Sequence, residues 1–202
     1  MPSPRFRHFQ SHIERARSTI GLGQSVASLT NGLIDASDLY RSAIVQAVAA
    51  LDTYIHGIVI DMGVDIVFGR RTPGNRGKLG LPVGAIADIL DSPDPIQQEI
   101  VVRSHIVERL SFETFQKPDD IGRALALVGI QKFWQTAFGN SAGDEKKALG
   151  VIVDRRNKIV HECDENLADP SYLNDLSDSD ALSCIEVVTR QVRRFDEIIS
   201  DS

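Results

Sequence analysis

The chain has few of the features that mark secreted or membrane proteins. Its 202 residues include only two cysteines, Cys163 and Cys184. Two cysteines are too few for a disulfide framework, so we expect a reducing compartment, the cytoplasm. The first residues lack the apolar run of a secretory signal. The most apolar stretch, residues 55–68, is interrupted by a histidine and two aspartates, and we therefore expect no membrane span.

An excess of positive charge is also missing. The formal net charge is -6, which argues against binding nucleic acid over the whole surface but leaves room for a local basic site. No Gly-Lys-Ser or Gly-Lys-Thr is present, which excludes a P-loop. Cys163 lies two residues from His161, but no third ligand has the spacing of a zinc site. We therefore expect neither a metal nor a cofactor.

Alternating apolar and polar residues, the pattern of strands, extend nowhere over six or more residues. Apolar residues recur instead at helical spacing, which predicts one all-α domain, a bundle with antiparallel long helices. The predicted helices cover residues 5–20, 35–68, 83–90, 95–115, a segment after Pro118, 144–163 and 181–199. The basic first helix should end at the glycines at 21 and 23, and Asp35 should cap the second. The bundle core spans about 35–199, with residues 69–117 as an insertion that begins with a glycine-rich loop at 69–82.

The helix over residues 144–163 carries the clearest chemical pattern. On an ideal helix at about 100° per residue, one arc should face the core and contains Leu149, Ile152, Val153, Ile159, Val160 and Cys163. Arg156 lies in the middle of that arc, and Asn157 and His161 lie together on its edge. Arg155, Lys158 and Glu162 should point mainly to solvent.

An arginine centred on an apolar arc needs an explanation, because its guanidinium cannot lose its charge on burial. In one interpretation Arg156 extends to the end of the bundle or pairs with a buried carboxylate. In the other, this face meets a second subunit across a polar cleft, where Arg156 and His161 contact a ligand. Both interpretations remain open from the spacing alone.

The run Arg155-Arg156-Asn157-Lys158-Ile159-Val160-His161-Glu162 resembles the signature of HEPN domains, closest to the RiboL-PSP-type branch. That signature is an arginine, four to six residues and a histidine, often with a polar residue directly after the arginine. The long apolar helix upstream and the amphipathic helix downstream agree with the resemblance, which covers residues 35–199. Arg7 and His12 also satisfy the bare spacing, but they lack this apolar frame.

The resemblance implies a HEPN-type helical bundle with endoribonuclease activity that needs no metal and leaves a cyclic phosphate. It implies a composite active site where two copies meet in a homodimer, with Arg156 and His161 catalytic and Asn157 supporting them. Histidine moves protons near neutral pH, and arginine binds phosphate through a fixed fork. The family also suggests a prokaryotic toxin or antiviral defence effector with an antitoxin or defence-system partner. The alternatives are a non-catalytic HEPN module that binds RNA, nucleotide or a protein, and a structural protein with a chance match.

Other basic residues are candidates for contact with the RNA backbone. They are Arg155 and Lys158 beside the motif, and Arg70, Arg71, Arg76 and Lys78 in the glycine-rich loop, where main-chain amides can approach phosphate. More often such a loop is a mobile connection. His8, His12 and Arg15 share one helical face, for which we favour a solvated surface. His56 is interpreted as a core histidine, and the residues around Trp134 as an aromatic core stripe.

Overall fold

The protein is described here by a computed structural model, which covers residues 2–73, 80 and 82–200. In this part of the chain every regular element is a helix, so the predicted all-α class is confirmed. The helices are α1 (Pro4–Leu29), α2 (Ser37–Val67), α3 (Val83–Leu90), α4 (Pro95–Leu110), α5 (Pro118–Leu127), α6 (Phe133–Phe138), a 3₁₀ turn (Gly139–Ser141), α7 (Ala142–His161) and α8 (Asp178–Ser200). The α2 helix lies at the centre and packs against α1, α4, α5, α7 and α8.

The first helix is longer than the sequence predicted. It begins where the Ser3 hydroxyl accepts a hydrogen bond from the Phe6 amide, and it passes the glycines at 21 and 23 without a break. Its buried positions recur every three or four residues as far as Gly23. A Cβ atom at Gly23 would lie 2.6 Å from Cε1 of Tyr40. The glycine therefore allows α1 and α2 to pack closely and does not end the helix, and α1 buries one face in the core.

The central helix begins two residues after the predicted cap. Ala36 occupies the cap position and provides no side-chain hydrogen bond, while Asp35 accepts hydrogen bonds from the amide and hydroxyl of Ser37, both at 2.8 Å. Among the described residues α2 alone is long and apolar enough to cross a membrane, and 61% of its most apolar window is buried inside the bundle. A core helix has this combination of composition and burial.

The fourth helix ends at Leu110, five residues before its predicted end. The segment that follows is held by Asp52 of α2, whose carboxylate accepts hydrogen bonds from the Phe115 amide at 2.6 Å and from Gln116 at 3.3 Å. The His56 ring packs on Phe115 with 4.3 Å between the ring centroids. A carboxylate on α2 thus satisfies backbone that would otherwise continue the helix, and His56 lies half-buried at this contact.

The seventh helix is held along its length by contacts to α8 and α2. Near its start, Glu145 accepts hydrogen bonds from Gln191 of α8 and forms an ion pair with Arg190. Its C-terminal end lies at the same end of the bundle as the start of α2 and the start of α8, where Gln24 of α1 also donates to Asp178 at 2.7 Å. Four helices therefore meet around the end of α7.

Candidate functional site

The last turns of α7 present Arg156, Asn157 and His161 at one end of the bundle. Helical structure extends to His161, so the helical spacing of these residues assumed from the sequence is confirmed. Arg156 and Asn157 are partly buried, while His161 is exposed. The Arg156 Nη1 donates to Oδ1 of Asn157 at 3.0 Å. None of the described residues gives the His161 ring a hydrogen bond or an ion pair, which leaves both ring nitrogens accessible to a ligand.

Arg156 lacks a carboxylate partner in the described part of the chain. Its Nε is buried without a hydrogen-bond acceptor, and its one protein hydrogen bond goes to the neutral amide of Asn157. An interior guanidinium is normally paired, because an unpaired charge near low-dielectric protein is costly. The geometry therefore departs from the buried ion pair considered for Arg156 and leaves its charge available to an anion.

Arg155, by contrast, does not point to solvent, and that expectation was wrong. Its Nη2 donates to Oδ2 of Asp164 at 2.8 Å and lies 3.2–3.3 Å from the carbonyl oxygens of Asn174 and Asp175. Its side chain is 24% exposed, and the Asp164 side chain is fully buried. The arginine that pairs with a buried carboxylate is thus the neighbour of the one that the helical arc indicated.

A second arginine, Arg41 of α2, completes this cluster. Arg41 Nε donates to Oδ2 of Asp164 at 2.8 Å, and its Nη2 donates to the Asn174 carbonyl at 2.7 Å. The Asn174 side-chain amide donates in turn to the carbonyl oxygen of Asp164 at 3.0 Å. We call Arg41, Arg155, Asp164 and Asn174 the Asp164 cluster. It ties the segment after α7 to α2 and fixes the end of the helix that carries His161.

The chain reverses direction directly after His161. Cys163 and Asp164 adopt φ angles of 51° and 56°, in the left-handed region that side chains rarely occupy, and the Asp164 amide donates to the Lys158 carbonyl at 3.0 Å. This turn directs Asp164 inward. It also places Cys163 at the surface, and Val160 is 45% exposed. The expectation that these two residues face the core was wrong, because the arc of α7 is covered only as far as Ile159.

Apolar side chains are exposed in the last turn of α7 and in the loop that follows it. Besides Val160, the loop between α7 and α8 exposes Leu167, Tyr172 and Leu173. The loop folds back on itself, with the Asn166 amide donating to the Tyr172 carbonyl at 2.9 Å. Exposed apolar groups gathered beside polar ones are typical of contact surfaces.

One copy of the motif is poorly shaped to act alone. His161 comes five positions after Arg156, which corresponds to about 7.5 Å along the axis and about 140° around it on an ideal helix. The Lys158 side chain is exposed on another face. One α7 helix can therefore offer a proton-transfer group and a phosphate-binding group, but in divergent directions.

The basic residues at the end of α2 lie against protein groups. Arg70 bonds to Asp65 at 2.8 Å and to Glu99 at 3.3 Å, and Arg71 Nε donates to the Val128 carbonyl at 3.0 Å. Arg76 and Lys78 lie outside the described residues. The structure thus shows Arg70 and Arg71 in structural contacts at the opposite end of α2 from Arg41, and it does not bring them to the Arg156–His161 motif.

Histidines elsewhere show no comparable arrangement. The rings of His8 and His12 lie 4.5 Å apart on α1, and the pKa of His12 is lowered by partial burial and by the nearby His8 and Arg15. In the ranges that the structure describes, no group of three or more His, Cys, Asp or Glu side chains is placed to hold a metal ion. His161 is therefore distinguished by its place on the same helix end as Arg156, an arginine without a carboxylate partner among the described residues.

Two residues that position the site were not singled out from the sequence, Arg41 and Asp164. Arg41 carried the same signal as Arg156, a guanidinium on the apolar face of a helix, and it is 6% exposed. Asp164 carried no signal, because an aspartate after a helix is ordinarily exposed. Its importance arises from a partner 123 residues away in the chain.

The comparisons with known proteins give no relative. No family model matches the chain, no curated protein matches it, and no solved structure matches it.

Proposed function

We propose that this protein is a metal-independent endoribonuclease of HEPN type, with a composite active site formed where two copies of α7 meet. Arg156 and His161 are the catalytic residues and Asn157 supports them. The resemblance of residues 155–162 to the HEPN signature supplies the reaction class. It also suggests the biological role, a prokaryotic toxin or antiviral effector with an antitoxin or defence-system partner.

The unpaired state of Arg156 is the observation that carries the proposal. Asp164, the buried carboxylate of this region, is taken by Arg155 and Arg41, and no other described carboxylate reaches Arg156. A partly buried cation without a protein counter-ion is suited to a phosphate group. The Asp164 cluster holds the helix end rigidly, as phosphate positioning requires.

The proposed reaction uses the RNA as its own nucleophile. The ribose 2′-hydroxyl attacks the adjacent phosphorus and gives up its proton to a base. A 2′,3′-cyclic phosphate forms as the bond between phosphorus and the 5′-oxygen breaks, and that oxygen accepts a proton from an acid. His161 from each of two copies can supply one of these two steps. Arg156 binds the non-bridging oxygens, where negative charge accumulates in the transition state.

A second copy removes the geometric difficulty of one helix. An isologous contact about a two-fold axis places two Arg156–His161 sets in one cleft, so that Arg156 of one copy can face His161 of the other. Such a contact can use exposed apolar residues at the end of α7 and in the loop after it, Val160, Leu167, Tyr172 and Leu173. Arg155 acts structurally in this proposal, and exposed Lys158 contacts the RNA backbone.

The test compares wild type with His161→Ala on a structured RNA. A positioned acid-base group supplies about a hundred- to ten-thousand-fold in rate, so cleavage should fall by that amount while the melting temperature stays unchanged. The fragments should carry 2′,3′-cyclic phosphate ends. Equal cleavage by both proteins would remove His161 from the mechanism.

Arg156→Lys sharpens the assignment of the phosphate-binding group. The substitution keeps the charge but loses the bidentate fork, so cleavage should fall with near-normal folding. Full activity in Arg156→Lys and Arg156→Ala would show that Arg156 does not contact the reacting phosphate.

A non-catalytic RNA-binding module is the second candidate. The observation in its favour is the His161 ring, which has no orienting hydrogen bond among the described residues, whereas acid-base histidines usually have one. Binding of RNA by wild type without any cleavage, and loss of that binding in Arg156→Ala, would select this module over the enzyme.

A further inference from the structure

A shallow cleft lies at the opposite end of α7 from His161. It occupies about 650 Å³ between α5, α6 and the first turns of α7. Three cationic side chains line it, Arg123, Lys132 and Lys146, against one acidic side chain, Asp119. The lining is therefore cationic on a chain whose formal net charge is -6. Such a concentration of one sign attracts a polyanion locally.

The three cations differ in how far the protein already neutralises them. Lys146 bonds to Asp119 at 2.6 Å, and Arg123 pairs with Asp120. The Lys132 ammonium makes no ion pair or hydrogen bond with any residue that the structure describes. Lys132 also holds a left-handed conformation, with φ at 49°, and its side chain is exposed at the cleft. At least one charge at the cleft is therefore available to an incoming phosphate.

The cleft and His161 lie along one side of α7. On an ideal helix at about 100° per residue, Lys146, Gly150, Asn157 and His161 fall within about 60° of arc. Lys146 and His161 are about 22 Å apart along the axis at about 1.5 Å per residue. A single strand of several nucleotides is long enough to cover this separation. One strand can reach from the cleft to His161 without changing sides.

Two glycines on this side of α7 have no side chain to cover the helix backbone. Gly143 lines the cleft and Gly150 lies between it and Asn157, and a Cβ atom at either position would meet nothing within 4 Å. Core packing therefore does not require glycine at these positions, although glycine destabilises a helix interior by about 0.5–1 kcal/mol relative to alanine. A smooth helix surface allows a phosphate backbone to approach closely.

From these observations we infer that the Arg123–Lys132–Lys146 cleft is a remote anchor for single-stranded RNA. The strand runs along the glycine side of α7 to the cleavage site at His161. The inference rests on the proposed ribonuclease function, because that function makes His161 the point at which the bound strand is cut. The shape of the cleft favours a polymer over a small ligand, because the cleft is largely open to solvent, whereas small-molecule pockets enclose most of their ligand.

The binding test uses the cleavage-deficient His161→Ala protein as background. Lys132→Gln with Lys146→Gln removes two cleft charges, and Lys147→Gln with Arg193→Gln is the matched control. Lys147 adjoins Lys146 in sequence but does not line the cleft, and Arg193 is an exposed cation of α8. Fluorescence anisotropy with labelled RNA of about four and about twelve nucleotides, over a salt series, measures length dependence and phosphate contacts.

The cleft variant should lose affinity for the longer RNA by about tenfold or more and keep its affinity for the shorter one. Its slope of log affinity against log salt should fall in magnitude by about 1.4, at about 0.7 per phosphate contact to a single strand. The control should match the background protein. An unchanged slope in the cleft variant, or an equal loss in the control, would overturn the inference.

Cleavage kinetics separate the anchor from the active site. With His161 intact, the cleft variant should raise KM for the longer RNA and leave kcat unchanged, because a remote contact binds ground state and transition state alike. Wild-type cleavage with no effect of the cleft variant would reject the anchor and keep the enzyme. A changed salt slope without any wild-type cleavage would keep the anchor and reject the enzyme.

The single tryptophan of the chain, Trp134, lines the cleft and reports its occupancy. Its fluorescence should change on addition of the longer RNA, and the change should be lost in the cleft variant. A saturable change with inorganic phosphate or a mononucleotide, and none with RNA, would assign the cleft to a small ligand and overturn the inference.

Discussion

Arg155 and Arg156 are sequence neighbours with different surroundings on α7. Arg155 shares the buried Asp164 with Arg41, whereas Arg156 bonds only to Asn157 among the described residues. Removal of Arg155 takes a charged hydrogen bond from a buried carboxylate, and removal of Arg156 strands no charge. Alanine variants of the two arginines can therefore be compared directly for their effect on stability.

We expect Arg155→Ala to lower the free energy of unfolding by about 1.5–3 kcal/mol, the value of a hydrogen bond to a charged group. We expect Arg156→Ala to change it by less than about 1 kcal/mol, as for substitutions that leave no buried group unpaired. Urea denaturation of the two variants beside wild type measures both values. Arg156→Ala less stable than Arg155→Ala would mean that Arg156 has a structural partner.

The contact of His56 with Asp52 should make stability depend on pH. Burial lowers the pKa of His56, but the hydrogen bonds and charge of Asp52 outweigh it and raise the pKa above its ordinary value. Burial raises the pKa of Asp52, but hydrogen bonds from His56, Phe115 and Gln116 outweigh it and lower that pKa. The stabilisation by His56 is complete below about pH 6.5, its unfolded pKa, and is lost as pH rises through the folded pKa. That of Asp52 is present above about pH 3.9 and is lost as pH falls through its folded pKa.

The stabilising window of this contact therefore lies between about pH 4 and about pH 6.5. His56→Gln should lower the melting temperature more at about pH 5.5 than at about pH 8.5, because less of wild-type His56 carries a proton at the higher pH. Thermal melts at both values measure the difference. A loss of the same size at both values would show that His56 contributes packing alone.

At the scale of the element, α7 carries a glycine that its packing does not explain. Gly150 lies inside the helix and faces open space, so Gly150→Ala should stabilise the protein by about 0.5–1 kcal/mol. The melting temperature should rise by about 1–4 °C in a chain of this size. Differential scanning calorimetry measures the change.

Gly23 of α1 is the control for this prediction. A Cβ there would meet the Tyr40 ring at 2.6 Å, so Gly23→Ala should lower the melting temperature instead. Stabilisation by both substitutions, or by neither, would contradict this account of the two glycines.

The helices show which structural features local sequence could predict. The bounds of α3 followed from the loop before it and the apolar spacing within it, and those of α7 and α8 were predicted to within three residues. The end of α1 was missed because two glycines suggested a break, although the spacing of buried residues continues to Gly23. Local propensity was overridden there by the packing of Tyr40, which the sequence does not reveal.

Prediction at the site met a similar limit. The helical arc singled out Arg156 and His161, since their relative positions depend only on spacing along α7. It assigned Arg155 to solvent, because the carboxylate that Arg155 binds is placed by two left-handed residues and by Arg41 of a distant helix. A partner supplied by tertiary structure cannot be found on a helical wheel.

At the scale of the whole molecule, the proposed composite site requires a two-fold dimer. Light scattering or sedimentation at micromolar protein should give the mass of two chains. Leu167→Glu with Tyr172→Glu should shift that mass to one chain and abolish cleavage, because both side chains are exposed in the loop that follows the motif and charge opposes apolar contact.

Ile96→Glu is the matched control for the dimer, since Ile96 is equally exposed on α4 near the opposite end of α2 from Arg41. It should leave mass and cleavage unchanged. A wild-type mass of one chain, with and without RNA, would reject the composite site.

The Asp164 cluster has a consequence for synthesis of the chain on the ribosome. It joins Arg41, made early, to Asn174, made 133 residues later. The chain is made from its N-terminus, so the residues of α2 already exist when the Arg156–His161 motif is translated. The cluster is not complete until residue 174 has also emerged. For the proposed ribonuclease, this order means that the complete cluster forms only when synthesis of the chain, beside its own messenger RNA, is nearly finished.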